Sequence, residues 1–492
     1  MSRRPAAGHP AGAKAADVRP TLSPNATVLV ACLAFFVITL DTTVVNVALP
    51  SIGAQWDGQV SALQWVVTAY TLLFAALLLS AGAISDRIGA SRAFTIGLSV
   101  FTLMSALCGL APSLDVLIIA RAIQGAGAAV MMPASLALVR QAYDDPSLRA
   151  RGIAWWTAGG GAAVAAGPVV GGALTTGLGW RWIFFINIPV GIVALIGMLR
   201  APRSARGQAP MDPAGQITAV LALAALVFAV INGGSGGWTS PATLAGFAVA
   251  VVAAVVFLVA ESRQSNPAVP LAMFRNPAVA VCTSAGLALN LGYYGLVFVF
   301  TIFFQEHRGA SALMAGLMFI PMTAFTTLVN LLAGRLTNRH GPRFPLIIGQ
   351  VIQTLGILGL LFVTEDTPTP LLLVLLVPLG IGGGLAIPPL TTAMLESVAH
   401  ERAGLASGVL SAARQFGGAI GVALLGALIA DSAHFMTGMR ISLLIGAGLL
   451  VATTLAVVRF LPAGHQHMDT SEPAPREAET VVPAHSDTSQ TR

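Results

Sequence analysis

Fourteen apolar runs, each close to the length needed to cross a bilayer, occupy most of this 492-residue chain. A helix needs about 20 predominantly apolar residues to span the hydrocarbon core, where a backbone amide left unpaired is too costly. The runs cover residues 27–50, 62–83, 93–112, 115–139, 152–176, 182–200, 215–233, 241–260, 278–304, 311–334, 344–364, 370–395, 404–430 and 440–461. They predict an all-α polytopic membrane protein. Composition removes the other classes. Only 9% of the residues are charged and 55% are hydrophobic, against about 25% charged in an average soluble domain. An ordinary soluble enzyme, a disordered protein and a nucleic-acid binder are excluded on that ground. The first run is too long for a signal peptide and has no small-residue cleavage site, so it reads as a retained span. Residues 1–26 and 462–492, rich in Ala, Pro, Ser, Thr, Glu and His, read as disordered cytoplasmic tails. Cys32, Cys108 and Cys282 lie far apart inside apolar runs. They read as small buried hydrophobes, with no disulfide and no metal site.

The basic residues orient the spans. With the N-terminus in the cytoplasm, 21 of the 26 fall in cytoplasmic segments and at the span ends beside them. The outer loops hold only Arg181, Arg308 and Arg440, and Arg121 and Arg414 fall within spans. This asymmetry is what fourteen spans with both ends inside require. A miscount by one span would scramble it.

An internal repeat divides the chain. Gly82-Ala-Ile-Ser-Asp86-Arg87-Ile-Gly89-Ala-Ser-Arg92 follows span two, and Gly334-Arg-Leu-Thr-Asn338-Arg339-His-Gly341-Pro-Arg343 follows span ten, at an offset of 252. Gly167-Pro168-Val-Val-Gly171 in span five matches Gly417-Gly418-Ala-Ile-Gly421 in span thirteen, at an offset of 250. Chance agreement between glycine-rich segments is the alternative, and two similar offsets weigh against it. The repeat predicts six-helix bundles over 27–201 and 278–461, with 202–277 as a linker carrying an inserted helix pair. Paired six-helix repeats around a central cavity are a transporter architecture.

Asp41 is the one acid of the twenty that falls well inside a run. Burying a carboxylate in a bilayer is expensive, which makes such an acid a functional candidate. Thr42 and Asn46 share roughly one helical side with it, and that side would face a cavity. The candidate role is proton coupling; a structural Asp bonded to a neighbouring helix is the alternative. Arg121, in span four with Gln124 close by, lies ~9 Å below the outer end of its span, and Asp41 ~14 Å below the outer end of its own. The two could pair directly or through water. Approach and withdrawal of the cation would switch the proton affinity of the acid. A purely structural arginine is the rival reading. Asn290, Tyr293 and Tyr294 in span nine, and Arg414 and Gln415 in span thirteen, are candidates for a substrate cavity or for polar helix packing. Trp65, Thr68 and Tyr70 in span two are further cavity candidates, although a Trp near a helix start often anchors the interface instead.

Glycine and proline supply mechanical parts. Pro168 removes a helix hydrogen bond, and Gly167, Gly171 and Gly172 permit close helix contact. Span five is therefore a candidate bending seal between the halves, and ordinary close packing is the alternative. Gly82, Asp86, Arg87, Gly89 and Arg92, with Gly334, Arg339 and Gly341 in the repeat, read as short charged connections. There Asp86 and Arg87 could bond a neighbouring helix end as a conformational latch, or lie in solvent and only set topology.

Together these segments resemble the major facilitator superfamily, in particular its 14-span drug:proton antiporters of the QacA/EmrB type, over about residues 27 to 461. Leu40 to Pro50 resembles the first-span signature with its proton-linked acid, and Gly82 to Arg92 resembles the loop signature. Arg121 with Gln124, Gly125 and Gly127 resembles the span-four basic motif. Gly167-Pro168-x-x-Gly171-Gly172 resembles the antiporter motif. Trp180-Arg-Trp-Ile-Phe-Phe-Ile-Asn187-Ile-Pro189 resembles the subfamily's entry into span six. Two departures stand out. The loop ends Gly89-Ala90-Ser91-Arg92 where the signature usually ends Gly-Arg-Lys/Arg. The second half also lacks the further intramembrane acids that some relatives carry, which argues against dicationic substrates.

The resemblance implies a proton-coupled antiporter, working by alternating access, that exports amphipathic organic compounds such as drugs, antibiotics or dyes, cationic ones among them. It implies no cofactor, the proton gradient as energy source, and a monomer in a bacterial inner membrane. The abundance of Ala, Gly and Arg, with Lys14 as the one lysine, fits a GC-rich bacterium. Three rivals stay open. A narrow exporter of an endogenous metabolite has the same composition. An importer conflicts with the antiporter motif. A membrane-bound enzyme or sensor would need a catalytic pair, a metal cluster or a sizeable soluble domain.

Overall fold

The computed structural model describes residues 22–201, 204, 212–264, 267, 269–399 and 402–462. The tails expected at either end, and the linker segment 205–211, lie outside or almost wholly outside these residues. Among the described residues there are helices and no strand.

Thirteen helices are long and apolar enough to cross a membrane. In the first half they are α1 (Pro24–Trp56), α2 (Val60–Ile88), α3 (Ala90–Leu110), α4 (Leu114–Ala142) and α5 (Pro146–Gly177). The sixth run is the exception. It forms a shorter apolar segment, α6 (Trp182–Met198), broken after Phe185 and restarting at Asn187. The inserted pair is α7 (Pro213–Gly236) and α8 (Pro241–Arg263). The second half holds α9 (Pro277–His307), α10 (Ala312–His340), α11 (Arg343–Leu360), α12 (Thr369–Glu396), α13 (Ala403–Leu428) and α14 (Phe435–Phe460). All fourteen apolar runs thus become helical. The chain is an all-α, multi-pass membrane protein built of two six-helix bundles and an inserted pair.

Several helices outrun their apolar cores, because a helix needs a satisfied start and not an apolar one. Ser23, Ser113, Asp145 and Ser240 cap the first turns of α1, α4, α5 and α8 by accepting from backbone amides. Each such cap satisfies one of the donors left open at a helix start. The Ser147 amide and hydroxyl hold the exposed Asp145 carboxyl below the usual carboxylate range.

The packing repeats between the halves. In the first, α1 lies along α5, and α4 lies against both α2 and α3; in the second, α9 lies along α13, and α12 against both α10 and α11. The inserted α7 and α8 pack on each other, and α7 also lies on α2 and α13.

The two signature connections need correcting. Residues 82–88 end α2 and 90–92 begin α3, so the connection is Gly89 alone, at φ +90°. Its repeat partner Gly341, at φ +75°, does the same work between α10 and α11. Only glycine adopts this backbone without strain, which is why it recurs at the turn.

Candidate functional site

The first half is organised around one buried ion pair. Asp41 is on α1 and is fully buried; Arg121 is on α4 and is 1% exposed. Arg121 Nη1 bonds directly to Asp41 Oδ2. Asp41 Oδ1 accepts from the Gln124 amide at 3.1 Å and from the Asn187 amide at 2.8 Å. Arg121 also donates from Nε to the Val66 carbonyl at 3.2 Å and from Nη1 to Gln124 Oε1 at 2.8 Å. The guanidinium lies over the Tyr70 ring, 4.2 Å from its centroid, a favourable site for a cation. One carboxylate therefore ties together α1, α4 and α6, and its cation reaches α2. A buried pair holds only with further hydrogen bonds around it, and here Gln124, Asn187 and the Val66 carbonyl supply them.

The local sequence explains the geometry. Arg121 and Gln124 are one turn apart and share a face of α4. Gly125, on the same helix, presses against the backbone of Tyr70, where a Cβ would fall 3.0 Å from its Cα. That contact brings α2 and α4 close enough for Arg121 to reach Val66. Asn187 sits at the restart of α6, immediately after its break. The Ser105 hydroxyl accepts from Asn187 at 3.0 Å and donates to the Phe184 carbonyl at 2.9 Å. Asn187 and Ser105 were not singled out as site residues by sequence reasoning. A polar residue inside the apolar segment Trp180–Pro189 was the available signal for Asn187.

The expected cavity residues divide. The Thr42 hydroxyl donates to the Ile38 carbonyl at 2.9 Å, and the Asn46 amide to the Thr42 carbonyl at 3.2 Å. Asn46 Oδ1 is buried without a hydrogen bond. The Tyr70 hydroxyl is buried in the same way and lies close to Thr42, with Tyr294 of the second half near enough to interact electrostatically. Of Thr42, Asn46 and Tyr70, it is Tyr70 that meets the second half. Arg414, partly buried on α13, faces Tyr294, while Asn290 donates to the Gly286 carbonyl at 3.1 Å. Gln415, next to Arg414, is partly buried. Trp65 goes elsewhere. It packs with Leu223 and Val227 of α7 and Ala423 and Ala427 of α13, so it belongs to the seam with the inserted pair. Thr68 is fully buried and bonded to its own helix at 2.7 Å. Tyr293 turns into the second half, where it lines a cavity of about 10 Å³ with Gln353.

The conformational motifs also divide. At Gly171 a Cβ would lie 2.7 Å from the Val44 carbonyl oxygen, and at Gly172 it would lie 2.8 Å from Leu313 Cα. Gly167 packs on Thr43, and Gly316 of α10 packs on the Pro168 carbonyl. Span five is thus wedged between α1 and α10. Gly82 and Gly334 have open space before them. Asp86, Arg87, Arg92 and Arg339 are exposed, and among the described residues no side-chain hydrogen bond or ion pair joins Asp86 or Arg87 to a neighbouring helix end.

The hydrogen bonds that join the halves gather at the end away from the arginine-rich connections. Gln64 donates to the Val422 and Ala423 carbonyls at 3.0 and 2.8 Å. Gln305 donates to the Val47 carbonyl at 2.9 Å, and the Leu313 amide to the Thr176 hydroxyl at 3.1 Å. Gln64 was likewise not anticipated. Two further buried acids are present among the described residues. Glu261, at the end of α8, is 2% exposed, near Asp212 at 6%, and accepts from the Val269 amide at 3.1 Å.

Known proteins share this architecture. The chain is 39% identical to the multidrug resistance protein Stp of Mycobacterium tuberculosis (strain CDC 1551 / Oshkosh), over 82% of this chain and 75% of that protein. It is 35% identical to the methylenomycin A resistance protein of Bacillus subtilis (strain 168), over 90% of this chain and 96% of that protein. A bacterial homologue of the human lysosomal transporter Spinster, in an inward-facing and unoccupied conformation, superposes with a TM-score of 0.63. That match is 19% identical and covers 89% of this chain and 98% of the other, which bears on the fold alone. The family model of the Major Facilitator Superfamily matches residues 31–422, and again 285–488. The two-bundle fold and these matches place the chain in the major facilitator superfamily.

Proposed function

We propose that this protein is a proton-coupled antiporter that exports amphipathic organic compounds from a bacterial cell across its inner membrane, with both termini in the cytoplasm. The observation that carries the reading is the Asp41–Arg121 pair, sealed inside the first half and tied to four helices. The names of the relatives, resistance proteins for drugs and antibiotics, support export of such compounds.

In this reading the proton acts by cancelling a charge. With Asp41 ionised, Arg121 is neutralised and α1, α4 and α6 are held together. A proton on Asp41 leaves the guanidinium without its counter-ion, so the helices that share the pair must rearrange. One proton moving down 100 mV supplies about 2.3 kcal/mol, enough to bias two conformations of similar energy. In this reading the inter-half bonds at Gln64, Gln305 and Thr176 form the outer seal. The glycines of α5 let that seal close, and bundles over 27–201 and 278–461 rock about it. Substrate-loaded and deprotonated, the carrier opens outward; protonation of Asp41 from outside favours substrate release and resets the carrier inward, where loss of the proton readies it for the next.

Accumulation of a panel of antibiotics and dyes in cells with and without the protein tests this directly. Lower accumulation in expressing cells, abolished by a protonophore, is expected. Equal accumulation of every compound would contradict export. Lower accumulation that survives the protonophore would contradict proton drive.

A further inference from the structure

The bilayer interior of the two bundles holds three charged groups that sequence and structure both single out, and two of them cancel. The third, Arg414, has no hydrogen bond and no carboxylate partner among the described residues, and its Nε is buried without a partner. Its stem lies on Gly286 of α9, whose absent side chain makes room for it, with Cγ 3.2 Å from where a Cβ would stand. The group it faces is Tyr294, whose ring also lies against Gly418, one turn further along α13. Asn290 is one turn back along α9 from Tyr294 and 7% exposed. Tyr294 in turn interacts electrostatically with Tyr70 of the first half, the residue on which Arg121 rests.

An unpaired guanidinium between membrane helices is costly unless water or a counter-ion satisfies it. Arginine presents a planar fork that matches a carboxylate or sulfonate. It also repels a lipophilic cation brought close to it.

We infer that Arg414, with the hydroxyl of Tyr294 and the amide of Asn290, receives the anionic head of the transported compound, so that the substrates are amphipathic anions and not cations. The inference rests on the export reading above and narrows its substrate class. The aromatic or aliphatic body of such a compound would lie on the apolar wall beside Tyr294 and Tyr70. Its head would then sit on the far side of Tyr70 from the Asp41–Arg121 pair. Binding and proton exchange would thereby be linked through one aromatic ring, without direct contact between substrate and acid.

The test uses three probes in inverted vesicles with an imposed proton gradient. They are 8-anilinonaphthalene-1-sulfonate, its neutral ring analogue N-phenyl-1-naphthylamine, and the ethidium cation. Wild-type protein is expected to accumulate the sulfonate in preference to the other two. Arg414→Gln should lower sulfonate uptake about tenfold or more, the factor a charge-assisted hydrogen bond supplies, with little effect on the neutral analogue. Arg414→Lys should fall between, and should keep the preference if Arg414→Gln fails to accumulate in the membrane. Ethidium or the amine transported in place of the sulfonate would overturn the inference and leave export standing. Equal loss of all transported probes in Arg414→Gln would make Arg414 structural. Transport of none of the three would count against export and the inference together.

Discussion

Asp41 and Arg121 each depend on the other for their place in an apolar interior. Removing one partner of a buried pair leaves an uncompensated charge, at a cost of about 3–5 kcal/mol. Arg121→Gln should therefore lower the thermal midpoint of the purified protein sharply. Adding Asp41→Asn to it should recover most of the loss while transport stays abolished. Equal midpoints for the single and double variants would show that the uncompensated charge is not what destabilises the single one. The pair was legible in the sequence because charges inside apolar runs are rare, and because helix rise alone set the two at comparable depths. Asn187 was harder to see. Its neighbours read as one apolar run, and only the break after Phe185 turns its amide onto Asp41. Gln64 was harder still, since its partners are backbone carbonyls of α13, and a carbonyl leaves no mark in a sequence.

At the scale of helices, close approach is set by missing side chains. A Cβ at Gly171 would stand 2.7 Å from the Val44 carbonyl oxygen and 2.9 Å from Val44 Cα, whereas Gly161 on the same helix has nothing within 4 Å. Gly171→Ala should force α1 and α5 apart, destabilise the protein by about 1–3 kcal/mol as overpacking does, and slow transport. Gly161→Ala should leave both unchanged. Thermal unfolding of the two variants side by side checks this, and matched behaviour would contradict it. The apolar runs located the helices but not their ends. Span five was expected from residue 152, and α5 starts at Pro146 because the Asp145 carboxylate caps it. The charged stretch after span two was expected to be a connection. It is helix, since Asp86 and Arg87 can ride an exposed turn without breaking it, and the chain reverses at Gly89 alone. Trp65 belongs to the seam with α7 because the inserted pair covers the face of α2 that it occupies; the run of residues around it carries no sign of that neighbour.

Alternating access is a property of the whole molecule, and the inter-half bonds say which end is closed. The Leu313 amide meets the Thr176 hydroxyl at 3.1 Å, and α5 and α10 interlock beside it through Gly172 and Gly316. Cysteines at positions 176 and 313, bridged by a short bifunctional maleimide, should trap this conformation and stop transport, with the unbridged double variant still active. Transport at full rate after bridging would show that this seal does not open in the cycle. The two-bundle plan was legible from the repeat offsets, because glycine turns and glycine contacts recur wherever the backbone makes the same demand. The state of the carrier was not, since both states share one sequence. The central claim is that Asp41 is where the proton couples to export. The most direct measurement follows lumenal pH in inverted vesicles after an imposed acid gradient, adding a transported compound to wild type and to Asp41→Asn. The account predicts substrate-triggered alkalinisation of the lumen in wild type and none in the variant at equal expression. An undiminished response in Asp41→Asn would contradict it.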